Sequence, residues 1–419
     1  MKENDGNTIL KSTDFGEIPN HWKFDRCEKA ITFFGGAAFK STDQVEEGIP
    51  WLKIANIGIN KAVWDSKSFL PTSFIETSKR YLLNEGDLVM ALTRPVLNGR
   101  LKITKLKKEE TPALLNQRVA KVIVKNGNDL DFIYQLLQTP YFSYNMEVRM
   151  AGTDPPNIGN KDLYQIKIPL PPLPEQQKIA EILSTWDQAI STSEKLIEEL
   201  KLRNKGLAQL LFTGNKRLKG FDKDWKKYHY SDILKKIKRP IEWNDETLYN
   251  LISVRRRSGG IFYRDALYGH QIKVKNLNTA KTGDFLFSKM QIVHGASALV
   301  TPEFDGAKIS GSYISVRAKD ESILSMEFFN WYSKLPRFYH QTFISSYGVH
   351  IEKMTFDFEL FLTETIHLPS LEEQQAIVSV LKEADKELQL NQQQLDTLKE
   401  QKKGLMQKLL TGEIRVKTE

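Results

Sequence analysis

Two stretches of the chain carry apolar residues at spacings of three, four and seven positions, with polar residues between them. This spacing is typical of a long helix whose narrow apolar stripe packs against another helix. The first stripe consists of Ile179, Leu183, Trp186, Ile190, Ile197, Leu200, Leu207 and Leu211. The second consists of Ile377, Leu381, Leu388, Leu395, Leu398, Leu405 and Leu409. We predict that the two helices pair with each other as an antiparallel coiled coil.

The two helical stretches are copies of one ancestral segment. Residues 171–217 align with residues 369–415 at a constant offset and without a gap. Prolines and an acidic residue mark the start of each copy, and a glycine stands where a C-terminal cap belongs. These signals place the first spacer helix at 169–214 and the second, with a short tail, at 367–419.

Each predicted helix is long enough to separate two globules. At 1.5 Å per residue, a helix from Pro174 to Phe212 spans about 58 Å. The alternative is that each helix packs only on its own neighbouring globule. The uninterrupted register and the outer faces rich in Glu, Lys and Gln favour mutual pairing.

The regions 1–168 and 215–366 mix short β-like runs with a helical stretch near one end. The β-like runs are 49–57, 87–92, 119–124, 283–288 and 313–317, and the helical stretches are 130–146 and 326–343. Weak echoes relate the two regions, among them Gly86-Asp87 and Gly283-Asp284, or Gly152 and Gly348. We therefore predict an α+β protein with a pseudo-twofold internal repeat, in which two mixed α/β globules are separated by the paired helices.

The bulk composition is that of a globular protein rather than a membrane or secreted one. Of the residues, 40% are hydrophobic and 27% are charged. The sequence has no apolar run long enough to cross a bilayer, and its first residues lack the apolar core of a secretory signal, so we expect a cytoplasmic location. Cys27 is the only cysteine, and the seven histidines are scattered, so we expect neither a disulfide nor a metal site.

The basic residues are clustered, which is more informative than the net charge of +8. Residues 94–125 hold nine basic residues against two acidic ones, and residues 217–257 hold twelve against six. Such clusters suit a polyanionic partner, because each Lys or Arg on a phosphate releases a condensed counterion. A solvated, lysine-rich surface without a partner is the simpler alternative.

Candidate DNA contacts follow from side-chain chemistry and position. Arginine pairs bidentately with guanine and asparagine or glutamine with adenine, and the strand after Gly86-Asp87 runs into a loop of Arg, Asn and Gly. The candidates in the first globule are Arg94, Asn98, Arg100, Asn116, Gln117 and Arg118. Those in the second are Arg255, Arg256, Arg257, Arg264, Lys289, Gln291 and His294. We expect about half of them to contact only phosphate or nothing.

Over essentially its whole length the chain resembles the specificity (S) subunits of type I restriction-modification enzymes. The motifs that carry the resemblance are the helix openings Leu173 to Gln177 and Leu371 to Gln375, the helix endings Gly206 to Gly214 and Gly404 to Gly412, the Gly-Asp-hydrophobic turns at Gly86 and Gly283, and the glycine segments at 35–36, 48–51 and 259–261. The resemblance implies that each globule is a target recognition domain for one half of a bipartite, asymmetric DNA site.

The resemblance also implies partners and their cofactors. The paired helices would set the spacing of the half-sites and dock the modification (methyltransferase) subunits, which we expect to number two. Those subunits would bind S-adenosylmethionine and methylate adenine at N6, and restriction subunits driven by ATP and magnesium would cut the DNA. No cofactor is expected on this chain itself, and no membrane.

Two other functions compete with this interpretation. Asp154-Pro155-Pro156-Asn157 is similar to an adenine methyltransferase motif, but Asn157 replaces the aromatic residue, and no glycine-rich loop follows a strand upstream. A self-contained methyltransferase would also need about 200 further residues. The second competitor is a coiled-coil scaffold that does not bind DNA, which the basic loops disfavour. Of the smaller motifs, the nuclease-like Asp224-Trp225-Lys226 lacks a second clustered carboxylate, and Gly35-Gly36 is interpreted as a turn.

Overall fold

The computed structural model describes residues 9–125 and 127–418. Its contacts divide the chain into two compact units. The first unit combines the residues up to 194 with those from 393 onward, and the second comprises residues 195–392. The division falls in the middle of each long helix, whereas the sequence-based boundaries were placed at the helix ends; those domain boundaries stay a prediction.

The first unit is built from short strands, four short helices and half of each long helix. Its strands are β1 Leu10–Thr13, β2 Gly16–Pro19, β3 Lys23–Arg26, β4 Ile31–Gly35, β5 Ile49–Leu52, β6 Phe69–Leu70, β7 Leu82–Leu83, β8 Leu88–Ala91, β9 Val96–Leu97, β10 Arg100–Leu101, β11 Ile103–Lys105, β12 Ala113–Leu115, β13 Val119–Val124 and β14 Lys167–Leu170. Its helices are α1 Phe74–Thr77, α2 Leu130–Leu137, α3 Pro140–Met150, α4 Asn160–Tyr164 and the first part of α5 Leu173–Phe212, together with residues 393–411 of the second long helix.

The second unit follows the same plan. Its strands are β15 Lys226–His229, β16 Leu234–Ile237, β17 Leu248–Val254, β18 Ile261–Tyr268, β19 Leu277–Thr279, β20 Phe285–Ser288, β21 Ser297–Leu299, β22 Lys308–Ser310, β23 Tyr313–Ala318, β24 Ser346–Tyr347, β25 Thr355–Phe356 and β26 Thr365–Leu368. Its helices are the last part of α5 (195–212), α6 Tyr230–Ile233, α7 Met326–Tyr332, α8 Pro336–Ile344, α9 Phe358–Leu362 and the first part of α10 Leu371–Thr411.

The two globules have the same sheet topology although their sequences diverge. One four-stranded sheet has the order β4-β13-β8-β11 in the first unit and β16-β23-β20-β21 in the second. The other has the order β6-β5-β12-β7 in the first and β18-β17-β22-β19 in the second. In that sheet the two central strands are parallel and both outer pairs are antiparallel, in each unit. The predicted α+β class and internal repeat are confirmed.

The two long helices run antiparallel, as predicted. In the first unit the Nζ atom of Lys399 lies 2.7 Å from Glu194, and that of Lys402 lies 2.7 Å from Asp187. In the second unit Arg203 pairs with Glu387 at 2.6 Å, and the Asn204 side-chain amide donates to the carbonyl oxygen of residue 384 at 2.9 Å. As α5 runs toward its C-terminus, the α10 residues that it contacts therefore move toward the N-terminus of α10.

The predicted apolar stripes are turned away from solvent along their whole length. Nine of the residues in these two stripes are buried, and the other six are half-buried. The buried ones are Ile179, Leu183, Ile197, Leu200, Leu211, Ile377, Leu381, Leu395 and Leu409, and the half-buried ones are Trp186, Ile190, Leu207, Leu388, Leu398 and Leu405. At the helix ends the stripes also belong to globule cores, since Ile179 and Leu409 pack with the core around Trp22, and Leu211 and Ile377 with the core around Phe285. Mutual pairing of the helices is therefore confirmed, the alternative that each packs only on its own globule is wrong, and the helix ends pack on globule cores in addition to pairing.

Each helix opening holds a buried carboxylate that is bound by an arginine beyond the end of the other helix. Both carboxylate oxygens of Glu175 lie 2.9 Å from Arg415, and the Trp22 indole donates to Glu175 at 3.1 Å. Arg217 donates to Glu373 through Nε at 2.6 Å and Nη2 at 2.7 Å. The two arginines occupy equivalent positions of the repeat. The sequence analysis assigned these acids to the helix dipole alone and missed this pair of Arg-Glu clamps.

The residue after each of these glutamates is a buried glutamine, and its side chain forms hydrogen bonds with backbone groups outside the long helix. The Gln176 side chain accepts from the Asp129 amide at 3.0 Å and donates to the Pro171 carbonyl at 2.8 Å. The Gln374 side chain accepts from the Ser325 amide at 2.9 Å and donates to the Ile323 carbonyl at 2.7 Å. In each unit this amide joins the long helix to the segment that begins the globule's own helical pair, which explains the Glu-Gln sequence in both copies.

Two predictions about local structure are wrong. Each helical stretch near a globule's end is two helices, because Pro140 and Pro336 each begin a second helix and cannot continue the first. Gly35-Gly36 is not a turn: Gly35 ends β4, and a Cβ atom on Gly36 would lie 2.3 Å from the carbonyl oxygen of Leu115. Glycine is needed there for the close approach of two backbones.

Other features follow the composition. Cys27 is buried in the first core, and burial raises the pKa of its thiol to about 12. Within residues 9–125 and 127–418, no helix is both long and apolar enough to cross a membrane.

Candidate nucleic-acid interface

The candidate loops begin at two equivalent turns in which an aspartate holds the backbone. Asp87 accepts from the Asn84 amide at 2.9 Å and from the Lys121 ammonium at 2.7 Å. Asp284 accepts from the Lys281 amide at 2.9 Å and from Arg317 Nε at 2.6 Å. The preceding glycines, with φ of +84° and +87°, adopt a left-handed conformation that favours glycine. The Gly-Asp motif therefore fixes where strands β8 and β20 start, and so it also positions the loops that follow these strands.

In the first globule, the loop after β8 lies beside the loop that follows α3. The Arg94 amide donates to the Pro156 carbonyl at 2.7 Å, and the Thr93 hydroxyl donates to the Asn157 side chain at 2.7 Å. Arg118 donates to the same Thr93 hydroxyl at 3.2 Å, so two of the predicted arginines lie within one cluster. Both guanidinium groups belong to exposed residues.

The predicted residues Asn98 and Arg100 lie on the neighbouring β9–β10 hairpin. Asn98 stands at its exposed tip with a φ of +51°, and Arg100 is exposed on β10. Lys102 follows, and burial together with the positive charge of Arg94 lowers its pKa. Among the residues that the structure describes, Arg94, Arg100 and Arg118 form no ion pair within 4.0 Å. This concentration of uncompensated positive charge is suited to an anionic ligand.

Asn116 and Gln117 have different environments. The Asn116 side chain accepts from the Gln117 amide at 2.9 Å, and its backbone packs on Gly36. Asn116 is half-buried, whereas the Gln117 side chain is exposed next to Arg118 in the sequence. Of these two candidates, Gln117 is the one placed to reach a ligand.

In the second globule, the arginine-rich turn between β17 and β18 is bound to the loop after β20. The Arg257 amide donates to the His294 carbonyl at 2.6 Å, and the Ser258 amide donates to the Gly295 carbonyl at 2.9 Å. Arg257 and Ser258 both have positive φ, of +57° and +53°. A Cβ atom on Gly295 would lie 1.9 Å from the Tyr339 hydroxyl, so the packing of Tyr339 against this loop requires glycine at position 295. The structure therefore brings the predicted arginines and His294 together.

One carboxylate partly neutralises this second cluster. Glu352 accepts from Arg256 Nη2 at 2.8 Å, and its other oxygen lies 3.3 Å from Nε2 of His294, although not in hydrogen-bond geometry. The Arg255 guanidinium stacks over the Phe262 ring at 4.3 Å. All three arginines at 255–257 are exposed.

The other three candidates of the second globule, Lys289, Arg264 and Gln291, lie in different environments. Lys289 donates to the Gly311 carbonyl at 2.7 Å, and Arg264 is paired with Asp265 at 2.8 Å on strand β18. The side-chain oxygen of Gln291 is buried without a hydrogen-bond partner. Their proposed role in binding stays a prediction.

The sequence analysis missed the loops that follow α3 and α8. In the first globule, Asn157 and the Pro156 carbonyl support the Thr93–Arg94 loop, so the methyltransferase-like segment is a structural neighbour of the arginine cluster. In the second globule, the equivalent loop supplies Glu352. The available signal was the echo between Gly152 and Gly348, which marks both loops. The Asp224-Trp225-Lys226 segment also has a structural place, since Trp225 packs on Arg217 with 5.8 Å between guanidinium and ring.

The described part of the chain contains no group of three or more His, Cys, Asp or Glu side chains arranged to hold a metal ion. The arginine clusters around Thr93 and around His294 define the candidate interface on each globule. Each contains groups that bind phosphate and that can donate to the edges of bases.

Comparison with known proteins agrees with this geometry. The chain matches the family model for the type I restriction modification DNA specificity domain at residues 20–202 and again at 222–400. It is 37% identical to the MjaVIII specificity subunit of Methanocaldococcus jannaschii over 214 residues, which cover 51% of this chain and 50% of the relative. It is 34% identical to the EcoAI specificity subunit of Escherichia coli over 182 residues, 43% of this chain and 30% of the relative. These two matches thus span half or less of either relative.

A third relative is matched over almost its full length. The putative MjaX specificity subunit of Methanocaldococcus jannaschii is 25% identical over 430 aligned positions, covering 98% of this chain and 97% of the relative. Among solved structures, the S subunit of a type I system from M. genitalium has a TM-score of 0.57 at 14% identity and is covered over 98% of both chains. A chain from a study of type I system assembly has a TM-score of 0.54 at 16% identity, over 95% of this chain and 99% of the other. The structural likenesses show a shared fold.

Proposed function

Because the chain belongs to the type I restriction modification DNA specificity domain family, we propose that it reads the DNA target of a type I restriction-modification complex. Each globule would bind one half of a split, asymmetric site. The relatives carry the name of specificity subunit, and the matched family domain occurs twice in this chain. Two domains of one topology with different loops are what two different half-sites require.

The observation that carries the proposal is the exposed arginine cluster of the first globule. Arg94, Arg100 and Arg118 are exposed, held on neighbouring segments, and without an ion pair among the described residues. Keeping like charges close together is unfavourable in the absence of a counter-charge. Phosphates would supply that counter-charge and guanine edges would accept hydrogen bonds from the guanidinium groups, which supports DNA over a merely solvated surface.

We place no chemistry on this chain and assign methylation and cleavage to its partners. Asn157, which stands where a methyltransferase motif needs an aromatic ring, is hydrogen-bonded to Thr93 and serves the arginine loop instead. S-adenosylmethionine would bind to modification subunits, two per complex, and ATP with magnesium to restriction subunits. Such a complex would act on the chromosome in the cytoplasm.

The antiparallel helices would set the distance between the half-sites and dock the modification subunits. Their register is fixed by polar contacts as well as by the apolar stripe: in the first unit, Lys402 donates to Asp187 at 2.7 Å and to Gln135 at 3.0 Å. Large apolar side chains on the outer face remain exposed, with Leu202 at 71% and Leu390 at 56%. These are available to a protein partner.

The dependence of duplex binding on salt tests the proposal against a scaffold that does not bind DNA. If several arginines and lysines contact phosphates, the affinity of the complex for duplex DNA falls on the order of a thousandfold between about 50 and 200 mM salt. Fluorescence anisotropy with a labelled duplex measures this directly. An affinity that does not change with salt, or no binding at low salt, would contradict the proposal.

A further inference from the structure

The loop that joins α8 to β25 in the second globule exposes three large apolar side chains in a row of alternate positions. Val349 is 95% exposed, Tyr347 63% and Ile351 50%. Isolated exposed apolar residues are common, but three on one short loop form a patch that calls for a partner. Gly348 makes this shape possible, because a Cβ atom at its φ of +153° would lie 2.9 Å from the Met354 backbone.

Basic side chains lie beside this apolar loop and outnumber its one carboxylate. Glu352, the only acidic residue of the segment 346–353, is bound to Arg256 at 2.8 Å and lies 3.3 Å from His294. Because Glu352 belongs to the loop, these contacts place the arginine turn at its base. His350 and Lys353 are exposed on the loop itself. An apolar tip on a cationic base fits a ligand that is anionic outside and apolar inside, as a nucleic-acid duplex is.

The fold does not require these apolar residues. The equivalent loop of the first globule, residues 152–157, is exposed as well, but it contains Thr, Asp, Asn and two prolines instead of aliphatic and aromatic residues. That loop is tied to its neighbour by the contacts of Asn157 with Thr93 and of Pro156 with Arg94. The apolar tip is thus a property of the second globule alone, which points to a role in binding rather than in folding.

We propose that Val349 and Ile351 form a wedge that inserts against the bases at one step of the DNA duplex and unstacks it locally. The inference rests on the proposed DNA-reading function. Apolar side chains that enter a groove beside cationic residues are a known means of kinking DNA, and the cost of unstacking is offset by burial of the wedge. The second globule would then select its half-site partly by how easily one base step deforms, whereas the first would depend on its arginines.

The test uses the full-length chain purified together with its modification subunits, and a duplex selected by that complex from a random-sequence library. 2-Aminopurine is placed at successive positions of the selected duplex, and its fluorescence is measured with and without the complex. We expect a rise at one step within one half-site. In the variant Val349→Asp the rise disappears, and binding weakens about tenfold, because burial of one valine side chain contributes about that factor.

Two further variants make the result specific. Val349→Leu keeps an apolar tip and should keep the fluorescence rise, whereas Ile351→Asp should remove it. Val274→Asp is the matched control: Val274 is 66% exposed on the loop before β19, and its substitution should leave both signals unchanged.

Three results would overturn the wedge. One is the absence of a fluorescence change at every position, and another is wild-type affinity of Val349→Asp. The third is loss of the modification subunits from Val349→Asp with DNA binding intact, which would make the loop a protein-docking surface. If the complex selects no duplex at all, the proposed DNA-reading function fails, and the wedge falls with it.

Discussion

The two globules share one topology, but they differ in whether a carboxylate lies next to the arginines of their basic loops. In the first, Arg94 and Arg118 surround a neutral pair, Thr93 and Asn157, and no carboxylate lies within ion-pair distance of them among the described residues. In the second, Glu352 sits between Arg256 and His294. The scaffold therefore fixes where a recognition loop lies, and a few side chains on it decide its charge. Reading two unlike half-sites requires this division of tasks.

The hydrophobic cores of the two units also place different side chains on equivalent strands. In the second unit, phenylalanine rings pack on one another at the centre, for example Phe287 stacked on Phe356 with 5.5 Å between centroids. The first core is mainly aliphatic around Trp22. Equivalent strands are thus held by different side chains, as expected for a fold that tolerates wide substitution while its volume and patterning are kept.

The largest expected effect concerns the Arg-Glu clamps, which compare the two units directly. Removing Arg217 leaves the carboxylate of Glu373, 2% exposed, buried without its counter-charge. We expect Arg217→Ala to lower the free energy of unfolding by about 3 kcal/mol. The equivalent Arg415→Ala should cost less, on the order of 2 kcal/mol, because Glu175 is more exposed and keeps the Trp22 hydrogen bond. Urea denaturation measures both.

Arg203→Ala is the control for the clamps. Its ion pair with Glu387 is about half-exposed on both sides, so its loss should change the unfolding free energy by no more than about 0.5 kcal/mol. Equal effects of Arg203→Ala and Arg217→Ala would refute the importance of the buried clamp.

The next effect compares the polar contacts between the helices. Lys402→Ala removes a side chain that holds both Asp187 and Gln135, and we expect a loss of roughly 2 kcal/mol. Asn204, the residue at the equivalent position of α5, reaches the other helix through a single hydrogen bond to a backbone carbonyl, and its side-chain oxygen otherwise accepts only from the exposed Arg203, so Asn204→Ala should cost about 1 kcal/mol. The order of the two losses in thermal denaturation is the readout, and the reverse order would be inconsistent with the contacts seen.

DNA affinity should depend more on the arginines of the first globule than on Arg256. Arg118→Ala is expected to weaken duplex binding by about 1–3 kcal/mol and to relax the sequence preference of one half-site. Arg256→Ala should cost less than about 1 kcal/mol, because Glu352 already neutralises part of its charge. Fluorescence titrations of the two variants, at one fixed salt concentration, decide between this order and its opposite.

The smallest effect uses the single cysteine as a reporter for one unit. Burial raises the pKa of Cys27 to about 12, so in the folded protein its thiol stays protonated and shielded at pH 8. We expect alkylation to be slow in the wild type and in Arg217→Ala, whose defect lies in the second unit, but faster in Arg415→Ala. Mass spectrometry after a timed iodoacetamide pulse gives the rates. Faster labelling in Arg217→Ala than in Arg415→Ala would show that the clamps do not act within their own units.

The sequence predicted the long helices well because heptad spacing and duplication over more than forty residues leave little ambiguity. It predicted the strands β13 and β23 within one residue, since both are rich in β-branched and apolar residues. It joined α2 to α3 and α7 to α8, because the apolar pattern continues through the prolines that separate them.

The candidate site was predicted less completely than the fold. The arginines were found because their chemistry is visible in the sequence, but the residues that position them were not. Asn157 lies 64 residues from Thr93, which it contacts, and Glu352 lies 96 residues from Arg256, and no local pattern indicates such contacts. Likewise, nothing in the local sequence shows that Glu175 meets Arg415. Long-range polar contacts depend on the fold and became visible only with it.

The most direct test of two independent readers on one scaffold is to map N6-methyladenine across a genome by single-molecule sequencing, with the chain co-expressed with its modification subunit. We predict one split, asymmetric motif that is methylated on both strands. In the double variant Arg94→Ala and Arg118→Ala, only one half of that motif should change or relax. A continuous palindrome, or a change in both halves from substitutions in one globule, would contradict the assignment of one half-site to each globule.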